Sequence, residues 1–474
     1  MLPDEHPAML FDKICLFNYR SFSRDQSIDF APLTFLVGPN SSGKSSVFSA
    51  FMLLAQSDLL YLRDWVPVWR GPLIDLGSFS DTVFEHNTRR SIRIGIRLPH
   101  LFSSHYPFKA KKKNLGKPIE LHFTLRASAS NEIGNVKEIC LTDTISDVSL
   151  NLSFTHGIRG KIIAVFGSKE MELPLPKRDE YSEYNDYYKI ITRIVKMVDE
   201  EIDKNRSDYY GKIEGIRRIV ELFKRPRHAT LAGTCQRVVS GRSGPLRLYP
   251  VGTQSSDIFY GRPTGDILDK VDLSTIQPPH TNYYWESRFP PQNYLEKLGS
   301  LLEALNIASS VTEKYVSGYH SSIHLRDNLT GIESNLIDLG YGASQIIPVL
   351  RGCLTRTSGP LFIEQPEIHL HPSAQSVVAD LIVNTSKTRQ VVVETHSEHL
   401  INHARLLIAD GKISPEHILI NYVDRDSLGS YVTQIGVDSS GDFTNEWPEG
   451  FFDERYHDTI KLMRLKANKS ANTS

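Results

Sequence analysis

Gly38-Pro39-Asn40-Ser41-Ser42-Gly43-Lys44-Ser45 carries the pattern G-x-x-x-x-G-K-S, and its reading decides the fold. The apolar run Leu33-Thr34-Phe35-Leu36-Val37 before it reads as a buried strand, and Ser46 to Leu54 after it reads as a helix. In a strand, loop and helix of this kind, glycines let the backbone turn sharply and approach phosphates. Backbone N–H groups and the helix N-terminus then attract anionic oxygens. Gly38, Pro39, Asn40, Ser41, Ser42, Gly43, Lys44, Ser45 and Ser46 are therefore the predicted cradle for ATP. Lys44 is placed to reach the β- and γ-phosphates, and Ser45 to hold Mg²⁺.

The 474 residues are enough for two or three domains. Hydrophobic residues make up 40% and charged residues 23%, a globular balance, so a packed core is expected. The net charge of −1 gives no overall pull toward nucleic acid or membrane, so any such contact must come from a local patch. Cys15, Cys140, Cys235 and Cys353 are scattered and form no C-x-x-C pair, which fits a reducing, cytoplasmic location. The first residues have no basic segment followed by an apolar one, and no run of about 18 apolar residues occurs. Neither a signal peptide nor a spanning helix is expected, and no membrane partner.

Outward from the loop, Phe11 to Phe30 reads as two strands around the turn Asn18-Tyr19-Arg20-Ser21-Phe22. Ser91 to Leu98 alternates apolar and polar residues, as a half-buried strand does. Composition changes near His100. Lys109-Ala110-Lys111-Lys112-Lys113 reads as a solvated basic tip. Ile119 to Leu125 and Val148 to Phe154 read as strands, and Tyr187 to Arg225 as a helical hairpin with Ile190, Ile191, Ile194, Val195 and Val198 on one stripe. Its basic end, Lys212, Arg217, Arg218, Lys224, Arg225 and Arg227, is either a solvated face or a nucleic-acid contact. Residues 230–292 are rich in Gly, Pro, Ser and Tyr and are expected to be loops, and a helix follows Asn293.

Three further stretches suit a nucleotide site. Pro360-Leu361-Phe362-Ile363-Glu364-Gln365-Pro366-Glu367 is an apolar strand ending in acids. Glu364 stands where a carboxylate beside the phosphate loop orients the water shell of Mg²⁺. Gln390-Val391-Val392-Val393-Glu394-Thr395-His396-Ser397 is another apolar strand, and His396 at its end suits a hydrogen bond to a γ-phosphate. Asp338-Leu339-Gly340-Tyr341-Gly342-Ala343-Ser344-Gln345 is a glycine turn opening into a helix, a second N-terminus for an anion, with Gly342, Ser344 and Gln345 as its candidates.

These four elements in this order resemble the ATP-binding cassette (ABC) class, and within it the chromosome-maintenance, recombination-repair and OLD-like branch. Asn18-Tyr19-Arg20-Ser21-Phe22, Asp75-Leu76-Gly77-Ser78-Phe79, Gly244-Pro245-Leu246-Arg247 and Trp447-Pro448-Glu449-Gly450-Phe451-Phe452 are similar to the predicted bacterial ATPases of that branch, which include the ATPase subunits of anti-phage systems such as Septu. The resemblance implies an α/β fold, an ABC-type ATPase head assembled from the two ends of the chain (1–100 and 331–474) around a mixed α/β and helical insertion (101–330). It implies ATP and Mg²⁺ as ligands, with Ser45 and Glu364 toward the metal, Asn18 and Arg20 near the nucleotide, and Gln56 or the segment near Ser78 sensing the metal. It implies a head-to-tail pair or higher oligomer in which Ser344 of one copy caps the ATP of another.

One departure concerns catalysis. The acid at Glu364 is followed by Gln365, whose amide cannot take a proton from water as a carboxylate can. Either Glu367 serves as base or hydrolysis is slow, so Glu364, Gln365, Glu367 and His396 are the catalytic candidates. OLD-type proteins append a nuclease domain of about a hundred residues with an Asp-x-Asp. Here fewer than fifty residues follow Asp424-Arg425-Asp426, which reads as a hairpin tip. Any cutting of nucleic acid is then expected from a partner nuclease. The leading reading is a regulatory ATPase of a defence complex. A DNA-repair or chromosome ATPase, which usually carries long heptad arms, and a transporter ATPase are the alternatives.

Overall fold

The computed structural model describes residues 9–59, 67–71, 73–99, 118–128, 134–155, 161–174, 183–209, 212–223, 235–240, 249–250, 291–317, 320–355 and 359–446. Lys109 to Lys113, Gly244 to Arg247, Trp447 to Phe452, Lys224, Arg225, Arg227 and most of 230–292 lie outside them.

The two predicted N-terminal strands are β1 (Lys13–Phe17) and β2 (Gln26–Asp29), paired antiparallel. β3 (Leu33–Val37) is buried at every residue and feeds the phosphate loop and α1 (Lys44–Gln56). A short α2 (Phe79–Thr82), capped by the Ser78 hydroxyl, precedes β4 (Ile92–Leu98). Then follow β5 (Ile119–Ala127), β6 (Gly134–Asp143), β7 (Val148–Thr155), β8 (Lys161–Phe166) and β9 (Lys169–Pro174). Their alternating burial is that of strands with one face on a core. All join one antiparallel sheet in the order β2-β1-β4-β5-β6-β7-β8-β9. The composition change near His100 therefore falls inside a sheet, because β4 and β5 are hydrogen-bonded neighbours.

The predicted hairpin is α3 (Glu183–Lys204) and α4 (Ile213–Phe223), packed against β6 to β9. Ile190, Ile191, Ile194 and Val198 point inward. One member of the basic cluster belongs to the core. Arg218, 5% exposed, donates through Nε to the fully buried Asp143 at 2.7 Å, while Arg217 is exposed.

β10 (Gln236–Val238) lies where only loops were expected, and it pairs parallel with a strand of the second sheet. Three residues are too few to show alternation. β11 (Tyr249–Pro250), α5 (Pro291–Ala304), β12 (Ser310–Ser317), β13 (His320–Arg326) and β14 (Glu333–Asn335) follow, the four strands making a small third sheet. The chain continues through α6 (Tyr341–Leu354), β15 (Leu361–Glu364), α7 (Pro372–Ser386), β16 (Val391–Glu394), α8 (Glu398–Ala409), β17 (Ile418–Asp426) and β18 (Gly429–Ile435).

The second sheet has the order β10-β15-β16-β3-β17-β18, parallel except for the last hairpin. Strands from the two ends of the chain interleave, with β3 between β16 and β17. Both faces are covered, which is why these strands read as continuous apolar runs. Leu36, Phe362, Val392 and Val423 share a core with Phe48 and Phe51 of α1. Leu33, Phe35, Val37, Ile363 and Val391 share the other with Leu350, Val378 and Leu400. Phe51 lies 4.7 Å from Phe11 and 5.0 Å from Phe362, ring to ring, and so joins the N-terminal segment to the C-terminal sheet. The α/β fold with a head built from both chain ends is the one expected. Among the described residues no helix is long and apolar enough to cross a membrane.

Candidate nucleotide site

The C-terminal edge of the parallel sheet gathers the motifs. In register, Glu364 of β15 pairs with Glu394 of β16, which pairs with Leu36 just before the phosphate loop. The loop then needs two residues without side chains. Gly38 has φ 138°, and a Cβ there would collide with the Val423 carbonyl. Gly43 has φ 114°, and a Cβ there would stand 2.6 Å from Ser21 Oγ and 2.7 Å from Ser430 Oγ. Ser430 also donates to the Ser42 carbonyl at 2.5 Å, and its N–H donates to the Ser21 carbonyl at 2.8 Å. The loop is thus clamped between the β1–β2 turn and the β17–β18 hairpin.

Pro39, Asn40, Ser41 and Ser45 are exposed, whereas Ser42, Lys44 and Ser46 are buried. Lys44 Nζ donates to the carbonyls of Gly38 at 3.0 Å and Pro39 at 2.7 Å. Burial pulls its pKa down, and the Glu394 carboxylate opposes the shift. Ser45 Oγ lies 3.0 and 3.2 Å from the two Glu394 oxygens. Burial first, then the charge of Glu364, pushes the Glu394 carboxyl up to about 7.

One expectation about the acids is corrected. Glu364 was expected beside the phosphate loop, yet β16 separates β15 from β3, and the acid that reaches the loop is Glu394. Glu364 is instead gripped by Arg237 of β10, whose Nη2 lies 2.6 Å from its Oε1. The backbone N–H and the hydroxyl of Ser240 both donate to its Oε2 at 3.2 Å. Glu394 and Arg237 were missed. A carboxylate closing the run Val391 to Val393 was the available signal for Glu394, by the same rule applied to Glu364. Nothing local marked Arg237.

Beyond β15, Gln365 takes φ 44°, and its N–H donates to the Glu394 carbonyl at 2.6 Å. Glu367 Oε1 accepts from the His396 N–H at 2.8 Å, so two catalytic candidates from different strands share one loop junction. His396 is half-buried, and burial together with the Lys44 charge lowers its pKa, which keeps the imidazole neutral near pH 7. The next residue, Ser397, caps α8 by accepting from the Leu400 N–H at 3.2 Å.

The turn candidates divide. Gly340 is the N-cap of α6, and a Cβ on Gly342 would stand 2.6 Å from the His369 carbonyl, so this helix start abuts the loop after β15. Ser344 and Gln345, expected to face a second copy, are only 3% and 2% exposed. They lie more than a residue inside the helix, and its outward start is Gly340 to Gly342. Asn18 and Arg20 both have φ 51°. Asn18 is buried and donates to the Ser91 carbonyl at 3.2 Å, and Arg20 is exposed. Ser21 is the member of this turn that reaches the phosphate loop. Gln56, a candidate metal sensor, holds a structural clamp. It donates to the carbonyls of Val68 and Ile74 and accepts from the Ile74 N–H. Asp424 and Asp426 close β17 at its hairpin, Asp426 paired with Arg24 at 2.6 Å and Asp424 accepting from Tyr431 at 3.3 Å.

The donor set fits Mg²⁺ with a nucleotide. Ser45 Oγ and the Glu394 and Glu364 carboxylates are hard oxygens, and a buried acid held beside a second carboxylate suits a divalent cation. Among the described residues no three acids, histidines or cysteines form a metal cage.

Sequence and structure comparisons relate the chain to known proteins. The sequence profile described as an AAA ATPase domain matches residues 9–215 and 281–401. A second, described as a protein of unknown function (DUF3696), matches residues 413–462. No curated protein matches. Similar solved structures include an SMC head bound to the C-terminal winged-helix domain of ScpA, with 12% identity, 90% of this chain and 98% of that one covered, and TM-score 0.44. The SMC head domain from Thermotoga maritima has 12% identity, 90% and 98% coverage, and TM-score 0.33. An SMC head with extended coiled coil from Pyrococcus furiosus, bound to the C-terminal domain of ScpA, has 13% identity, 90% and 96% coverage, and TM-score 0.36.

Proposed function

The chain belongs to the AAA ATPase domain family, and from that premise we propose that it is a slowly hydrolysing regulatory ATPase. In this reading it pairs with another copy on binding ATP and controls a partner nuclease, as the ATPase subunits of systems such as Septu do in anti-phage defence. The observation that carries the ATP part is the meeting of Lys44, Ser45 and Glu394 at one sheet edge. Ser45 and Glu394 are 349 residues apart in sequence and 3.0 Å apart in space.

Each residue then has a task. The N–H groups at the start of α1 and the Lys44 ammonium bind the phosphates of ATP. Ser45, with the acids behind it, would hold Mg²⁺, and the ion would neutralise charge on the phosphate oxygens. Neutral His396 donates a hydrogen bond toward the γ-phosphate. Gln365 orients the attacking water without accepting its proton, so turnover is slow and ATP persists. The outward N–H groups of Gly340 to Gly342, rather than Ser344, face the nucleotide of the other copy. The sheet-bound α3 and α4 offer no long arm, which favours this reading over a chromosome-maintenance ATPase.

Calorimetry and sedimentation test this. The native protein binds ATP and pairs in its presence, and Lys44→Ala loses both, because the phosphates lose their main cation. Unchanged ATP affinity in Lys44→Ala overturns the assignment. Binding without pairing overturns the regulatory part.

A further inference from the structure

We propose that Arg237 of β10 competes with the divalent cation for Glu364, so that binding the metal means displacing a cation the fold itself supplies. The inference rests on the ATP-site reading above and concerns how tightly that site draws Mg²⁺.

An ionised carboxylate has about four lone-pair positions, two on each oxygen. On Glu364 the short segment from Arg237 to Ser240 fills them. Arg237 donates to Oε1 through Nε at 2.8 Å, and its Nη2 lies 2.6 Å from the same oxygen. Ser240 donates to Oε2 through both its N–H and its hydroxyl, each at 3.2 Å. The acid is 7% exposed, so bulk water does little to weaken this grip. A carboxylate occupied in this way has no position left to accept from the water shell of an ion.

The charges are matched as well. Burial and Glu364 raise the Glu394 carboxyl, whereas Lys44, Ser45 and Arg237 oppose them. The two acids at this sheet edge therefore stand against two cations, Lys44 and Arg237, and present no net negative charge to a dication. Taking Arg237 away leaves one negative charge in excess and opens Oε1.

The grip comes from outside the phosphate loop and is itself anchored. Arg237 Nη1 also donates to the Leu73 carbonyl at 2.9 Å. Beside it, Gln236 donates its N–H to the Pro360 carbonyl at 3.1 Å, and its side-chain oxygen accepts from the buried Arg389 at 2.8 Å. Arg237 is thus a positioning residue, acting on the cation through Glu364.

The test separates nucleotide binding from cation binding. Adenylyl imidodiphosphate, which is not hydrolysed, is titrated by calorimetry into native protein, Arg237→Gln, Glu364→Gln and the double variant, first with EDTA and then across a MgCl₂ series. Analogue binding in EDTA reports that each variant is folded. Arg237→Gln is expected to lower the half-saturating Mg²⁺ concentration by about tenfold, the scale of one charge-assisted hydrogen bond. An ion pair that only supports the site predicts the opposite sign, because disturbing such a partner weakens metal binding. In the Glu364→Gln background the same change is expected to do little, since the acid through which Arg237 acts is gone. An unchanged or raised Mg²⁺ requirement in Arg237→Gln overturns the inference, and so does a gain of the same size without Glu364. Should Arg237→Gln not fold, Ser240→Ala replaces it. That change frees one position on Oε2 and alters no charge, and a Mg²⁺ requirement that is not lowered there is equally fatal. If native protein binds no analogue at all, the ATP-site reading itself is wrong.

Discussion

Arg237 and Glu364 stand 2.6 Å apart although 127 residues separate them. Their side chains are 14% and 10% exposed, so neither charge is well hydrated once its partner is gone. Removing one half of such a pair costs about 3–5 kcal/mol when fully buried. Arg237→Gln is expected near the low end, about 3 kcal/mol, with the double variant Arg237→Gln/Glu364→Gln recovering most of it. Urea unfolding of the three variants measures this. A single variant as stable as the native protein shows that solvent already screens the pair.

Glu394 gives the ligand-free protein a pH dependence with a definite sign. Burial and Glu364 raise its folded pKa from the ordinary carboxylate value to about 7. The folded state then binds a proton that the unfolded state has released. The associated stability is fully present below the ordinary value, near 4.5, and is lost as pH rises through about 7. The thermal midpoint is expected to fall between about pH 5 and 8, and Glu394→Gln, which has no proton to lose, flattens that fall. An identical slope in the variant assigns the effect to other groups.

Turnover is the third expectation. General-base catalysis contributes about 10²–10⁴-fold, and an amide at Gln365 forgoes it. Gln365→Glu is expected to raise phosphate release at least about tenfold, at the low end because the site already holds two acids nearby. Glu367 is the rival base. It already accepts from the His396 N–H, so Glu367→Gln is expected to disturb the junction between β15 and β16 as well. If Gln365→Glu changes nothing and Glu367→Gln ends activity, Glu367 is the base.

The parts of this architecture that were legible in sequence were those whose chemistry is local. Gly38 to Ser45 form a contiguous motif, and β3, β15 and β16 are apolar runs because both of their faces are covered. What escaped depends on pairing between distant segments. β10 is three residues long and is recognisable only beside β15. The burial of Arg218 depends on Asp143, and that of Ser344 on what packs over the first turns of α6. The strand order placed β16 between the loop and Glu364, and periodicity along one strand carries no information about its neighbour.

β3 has a consequence for biosynthesis. Both of its sheet partners come from the far part of the chain, and the contact between Ser45 and Glu394 spans 349 residues. At about 5–20 residues per second, a ribosome takes on the order of tens of seconds to supply them. For that interval Leu33 to Val37, buried at every position in the finished protein, has no strand on either side. The nascent chain cannot assemble the nucleotide site while it waits, and an unpaired apolar strand of this kind invites chaperones or aggregation. Competence to bind ATP is therefore acquired only after most of the polypeptide has been made, so a truncated product carries the complete phosphate motif without its function.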